Sequence, residues 1–132
     1  MAVLSRDQVL GARAERVREV VAVPELGGDL LVQGMTAGER NQYEFAVIKQ
    51  KKGATTFDVM QFRSTLLRFS LVDEAGTLIF DDANKHLING WPASVVERLV
   101  DVARRLSGIG EKDESDLGLR SASAPAGSSA SD

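Results

Sequence analysis

Apolar positions change their spacing along this chain, and each change predicts an element. Valines and other β-branched residues crowd Val17 to Val23, and Leu30-Leu31-Val32 follow the Gly27-Gly28 pair, which predicts the two strands of a β-hairpin. Pro24 cannot donate to a strand ladder, so it belongs at a strand end or on an edge. Beyond Gly34 the spacing becomes helical. Tyr43, Ala46, Val47 and Gln50 recur on one face while Glu39, Arg40, Gln42 and Lys49 are polar, which predicts a helix from Thr36 to about Lys51. Thr36 and Glu39 open it as a Thr-x-x-Glu capping box, and Lys49, Lys51 and Lys52 ahead of Gly53 suit its C-terminus. Ser5 and Gln8 form a second box before Val9-Leu10, predicting a short helix limited by Gly11.

The widest apolar stripe follows. Val59, Phe62, Leu66 and Phe69, with Met60, Leu67 and Leu71 beside them, predict a core helix capped by Thr55 or Thr56. Ser70 to Phe80 reads as a helix end, a polar turn and a short extended segment. Asp81 or Asp82 then opens a short helix over 83–88, stopped by Asn89-Gly90. Pro92 suits the first turn of a last helix, with Ser94 and Glu97 as a third box. Its stripe is Val95, Leu99, Val102 and Leu106, with Val96, Val100 and Ala103 alongside, and Gly108 ends it. From Glu111 onward almost nothing can be buried, so this stretch is expected to be disordered. The fold class is therefore α+β, mainly α: an N-terminal β-hairpin, then a small bundle of three to four helices, then a disordered C-terminal tail. The divisions fall at residues 1–16 for an N-terminal arm with its short helix, 17–110 for the folded domain and 111–132 for the tail.

Charge sharpens this division. Residues 111–132 carry five acids and two bases, so the net charge of −3 lies in the tail and residues 1–110 hold 14 acids against 14 bases. A neutral domain offers no electrostatic footprint for a phosphate backbone, so no nucleic-acid partner is expected. With 132 residues, 43% hydrophobic and 27% charged, the composition is that of an ordinary globular chain with a single modest core. No apolar run approaches the roughly 18 residues that span a bilayer, so no membrane partner is expected. Met1 to Leu10 lacks an apolar core of signal-peptide length, which points to a cytosolic protein.

The chain carries no recognisable catalytic or metal-binding pattern. The chain has no cysteine and one histidine, His86, which rules out closed zinc coordination by sulfur and nitrogen. His86 lacks an orienting partner in the pattern and reads as a packing or solvated residue. Asp73-Glu74 and Asp81-Asp82 lack the order of a calcium loop and fit turns and caps instead. Neither a Gly-x-Gly-x-x-Gly nor a Walker-type loop occurs, and Ser64, Ser70 and Ser94 lack the strand-turn-helix elbow of a nucleophile. The chain is expected to be no enzyme and to hold no cofactor. Trp91, the sole tryptophan, reads either as packing at a helix entrance or as a partner anchor.

Several segments together resemble the small tail assembly chaperones of long-tailed (siphovirus-type) bacteriophages. Val23-Pro24-Glu25-Leu26-Gly27-Gly28 is similar to that family's Val-Pro-Glu-aromatic-Gly-Gly hairpin, with Leu26 where an aromatic is usual. Met35-Thr36-Ala37-Gly38-Glu39-Arg40-Asn41 is similar to its Leu-Thr-Gly-x-Glu-Arg-Asp helix start. Ser70-Leu71-Val72-Asp73-Glu74 with Gly76 and Leu78-Ile79-Phe80 resembles its turn, and Arg98-Leu99 through Gly108 resembles its closing helix. The stretch from Asn84 to Trp91 looks like an insertion.

The resemblance implies a non-enzymatic assembly factor of the host cytoplasm, absent from the mature virion. It implies binding to the tape-measure protein, which is kept soluble, and recruitment of the tail-tube subunit, through a frameshifted extension where one is made, together with self-association. Tyr43, Val47 and Trp91 are the expected partner-binding anchors, being apolar or aromatic near helix surfaces. The alternative is a structural virion component, such as a head–tail joining or tail-tube-associated protein. A DNA-binding regulator comes third, against the neutral charge of the domain.

Overall fold

The computed structural model of the chain describes residues 2–51 and 54–109. In chain order its elements are α1 (Arg6–Leu10), β1 (Arg18–Val23), β2 (Gly28–Gln33), α2 (Ala37–Val47), β3 (Ile48–Lys51), β4 (Ala54–Phe57), α3 (Phe62–Arg68), β5 (Leu71–Val72) and α4 (Ala93–Leu106). Two 3₁₀ turns, Pro24–Leu26 and Lys85–Gly90, complete them. The class is α+β, as expected, with the hairpin at the N-terminal end of the domain.

β1 and β2 pair antiparallel from Arg18 opposite Gln33 to Val23 opposite Gly28. Alternation along β1 turns Val21 and Val23 inward and leaves Val20 and Ala22 outside. Pro24 starts the 3₁₀ turn between the strands, and Gly27 closes it at a φ of 92°, a left-handed conformation that disfavours any side chain. β5 extends the sheet on the far side of β2, giving the order β1-β2-β5. β1 is thus an edge strand. Arg98 of α4 covers it, donating to the Ala22 carbonyl at 3.1 Å and to both oxygens of Glu25 at 3.1 and 2.8 Å.

α4 lies across the sheet through Val95, Val96, Leu99, Val100 and Ala103, all buried, while Val102 and Leu106 of the expected stripe are only partly covered. The helix starts at Ala93, which places Ser94 inside its first turn. The expected Ser94–Glu97 box therefore does not form, and Glu97 pairs instead with Arg63 of α3. Gly34, just after β2, lies against the backbone of α4: a Cβ there would overlap the Leu106 carbonyl oxygen.

α3 is the central helix, as the stripe implies, with Phe62, Ser64, Thr65, Leu66 and Leu67 buried between α2, α4 and the Lys85–Gly90 turn. It begins later than expected. α2 stops at Val47, and Ile48–Lys51 with Ala54–Phe57 forms a second antiparallel hairpin, Ile48 opposite Phe57 and Lys51 opposite Ala54. The β-branched residues Ile48, Thr55 and Thr56 favour strand, and Phe57 reaches the core against Phe62, ring centroids 5.1 Å apart. Thr55 and Thr56 are thus strand residues rather than caps, and Val59 and Met60 lie exposed in the approach to α3. Lys52 and Gly53, expected at a helix C-terminus, lie outside the described residues, as does the tail from residue 111.

Both early capping boxes form. Ser5 Oγ accepts from the Gln8 amide at 3.2 Å, and Thr36 Oγ1 accepts from the Glu39 amide at 3.1 Å. Glu39 Oε1 accepts in return from the Thr36 amide at 3.0 Å and from Arg16 at 2.6 Å, tying the start of α2 to the arm before β1. The expected helix over 83–88 is a 3₁₀ turn. Asp81 Oδ1 accepts from the amides of Ala83 and Asn84 at 2.9 and 3.0 Å, fixing its approach. Asp73 likewise organises a tight turn, accepting from the amides of Ala75 and Thr77. The acidic pairs are turn chemistry. Among the described residues no group of three metal-ligating side chains occurs, and no helix is long and apolar enough to cross a membrane.

Candidate functional site

α2 points two kinds of residue in opposite directions. Tyr43 and Val47, one turn apart, face the core and are only 4% and 0% exposed. Neither presents its side chain to a partner on this surface; both hold the helix in place. Phe45 lies between them in sequence, so it projects from the opposite side of α2 and is 88% exposed. The core contacts on the other face of α2 hold this large aromatic ring in water.

Phe45 opens onto a pocket of about 540 Å³ between α2 and α3, lined also by Asn41, Gln42, Ala46, Thr65, Arg68, Phe69 and Asp82. That volume lies within the roughly 300–1,000 Å³ of sites that take a small ligand or a pair of side chains. Apolar walls from Phe45, Ala46 and Phe69 meet the amides of Asn41 and Gln42 and the guanidinium of Arg68, which lies 4.2 Å from the Phe69 ring centroid. Thr65 and Asp82 are the hydroxyl and the carboxylate of this set, and among the described residues no hydrogen bond joins them as nucleophile and base. The arrangement suits recognition of an apolar side chain with polar groups beside it.

Trp91 sits elsewhere. It is half-buried, edge-on to Phe80 with ring centroids 5.8 Å apart, and lines a second pocket of about 380 Å³ with Met60, Arg63, Ile88, Asn89, Ala93, Val96 and Glu97. Met60, 86% exposed, gives that groove its soft apolar rim. No residue lines both pockets, so Trp91 is not brought together with α2. The His86 ring Nδ1 lies 3.1 Å from the Ala83 carbonyl oxygen, and His86 lines neither pocket.

The sequence pattern missed Phe45 and Arg68. Phe45 carried a usable signal, an aromatic residue two positions off the stripe of an otherwise amphipathic helix. Arg68 carried none, because Asn41, Gln42, Phe45 and Ala46, the α2 residues it meets in the pocket, lie more than 20 residues earlier.

An edge hairpin whose sheet is crossed by the long helix α4, with the shorter helices α2 and α3 packed beside each other, defines a small non-repetitive α+β domain. The fold is similar to that of a solved tail assembly chaperone. The solved structure of the bacteriophage HK97 tail assembly chaperone matches with a TM-score of 0.56 and 18% identity, over 80% of this chain and 95% of the other. No family model matches the sequence, and none of the curated protein sequences does.

Proposed function

We propose that this chain is a non-enzymatic tail assembly chaperone of a long-tailed phage. It binds the tape-measure protein, keeps it soluble and helps bring tail-tube subunits to it, acting in the host cytoplasm and staying out of the finished virion. The observation that carries this reading is the fold, shared with the HK97 chaperone over nearly all of that protein. The α2/α3 pocket with Phe45, and separately the groove under Trp91, supply the client contacts; Tyr43 and Val47 support the first of them from the core. A client helix rises about 1.5 Å per residue, so a tape-measure protein of several hundred residues must be covered by many copies. Weak apolar contacts repeated along it keep it soluble, yet yield stepwise to polymerising tube subunits.

The test is co-expression with the tape-measure protein of the same phage. The wild-type chain should keep that client soluble and co-purify in several copies, and Phe45→Ala should lower the yield of soluble complex while the free domain stays folded. A client equally insoluble with and without this chain would refute the reading. Stoichiometric presence of the chain in purified tails would favour a structural virion component instead.

A further inference from the structure

Arg68 differs from most of the described arginines, although Arg13 and Arg18 bond to an oxygen that is not a carboxylate's and the Arg104 Nε is likewise buried without a hydrogen bond. Among the described residues Arg6, Arg16, Arg40, Arg63, Arg98 and Arg105 each pair with a carboxylate. Arg68 enters no such pair. Its guanidinium lies over the Phe69 ring, and its Nε is buried without a hydrogen-bond partner. Asp82 lines the same pocket, but its largely exposed carboxylate faces Lys85 Nζ at 3.9 Å. A stacked guanidinium is held in one plane, with its fork ready for two parallel bonds to a carboxylate. Leaving its buried Nε without an acceptor costs stability that a bound acid would return.

We infer that the α2/α3 pocket binds an amphipathic helix that lays an apolar side chain against Phe45 and a glutamate or aspartate carboxylate on Arg68. The identity of the client rests on the chaperone reading above; the chemistry of the pocket does not. The groove runs between two helices, and a third helix fits such a groove by its apolar stripe. The amides of Asn41 and Gln42 border the apolar wall and suit the polar flank of that stripe. Charge complementarity selects the flank: an acid gains a charge-assisted bond, a glutamine a weaker one, and a lysine meets like charge.

The experiment uses the full chain and three synthetic helical peptides of about 20 residues, with leucines at i, i+4 and i+7 and flanking positions all Glu, all Gln or all Lys. Fluorescence anisotropy should show the Glu peptide binding roughly tenfold tighter than the Lys peptide, with Gln between them. Arg68→Gln should level the three, Arg68→Lys should keep part of the preference, and Phe45→Ala should weaken all three together. The preference is read on the wild-type chain, so a variant that unfolds does not remove the test. Equal binding, no binding, or a preference that survives Arg68→Gln would overturn the inference. So would a concentration-dependent dimer in sedimentation that Arg68→Gln abolishes, since a second copy would then fill the pocket. A preference for acid with no effect on tape-measure solubility would refute the chaperone reading alone; a soluble client with no preference would refute this inference alone.

Discussion

Phe62 and Phe45 are the same residue type on adjacent helices, and the fold assigns them opposite work. Phe62 is 3% exposed at the start of α3, against Phe57 and with the Arg63 guanidinium 4.5 Å from its ring centroid. Truncating a fully buried phenylalanine costs about 3–5 kcal/mol, the lost transfer free energy plus the cavity left behind. Phe45 buries about a tenth of its surface, so the same truncation there should cost less than about 0.5 kcal/mol. For a domain of roughly 100 residues, 1 kcal/mol moves Tm by about 4–8 °C. Phe62→Ala should therefore melt more than about 12 °C below wild type, and Phe45→Ala within about 4 °C of it. Urea or thermal unfolding followed by the fluorescence of Trp91, the sole tryptophan, reads both. Near wild-type melting of Phe62→Ala would show that α3 does not bury its stripe. A large loss in Phe45→Ala would show that Phe45 packs in the core and offers no contact surface. Either result would refute the division of labour between the two faces of the α2/α3 pair.

Two further outcomes follow from single contacts. Gly34→Ala should lower stability by about 1–3 kcal/mol in the same unfolding assay, because its Cβ meets the Leu106 carbonyl backbone, which cannot swing aside; an unchanged midpoint would show that α4 can retreat from the sheet. The Arg98 hydrogen bonds, helped by one from its own backbone amide, hold the Glu25 carboxyl down to about 2 from an ordinary 4.5. A lowered carboxylate contributes stability that is complete above the ordinary value and is lost as pH falls from there through about 2. Side-chain carbon NMR should find Glu25 titrating near 2, and Arg98→Gln should return it to the usual carboxylate range; a wild-type value already in that range would show that the turn and α4 are not tied together.

The capping boxes at Ser5 and Thr36, the Pro24–Gly27 turn, the strands beside it and the amphipathic length of α4 were all legible in the sequence. Each is decided within a few residues, by a side chain that satisfies a helix-end amide or by a glycine that accepts a left-handed φ. Residues 48–57 were not legible. Ile48, Thr55 and Thr56 favour strand, yet Tyr43, Ala46, Val47 and Gln50 continue a helical spacing, and local preference leaves the two nearly balanced. Tertiary packing settled it, because ending α2 at Val47 lets Ile48 pair with Phe57 and brings Phe57 onto Phe62. The same holds for the candidate site. Periodicity marked Tyr43 and Val47 as apolar, but burial against the core took them from the surface. It left Phe45 outside and set it beside Arg68, a residue 23 positions away that no pattern links to it. A sequence states which face of a helix is apolar; which neighbour covers that face, and which side chain is left uncovered, is fixed only when the elements pack.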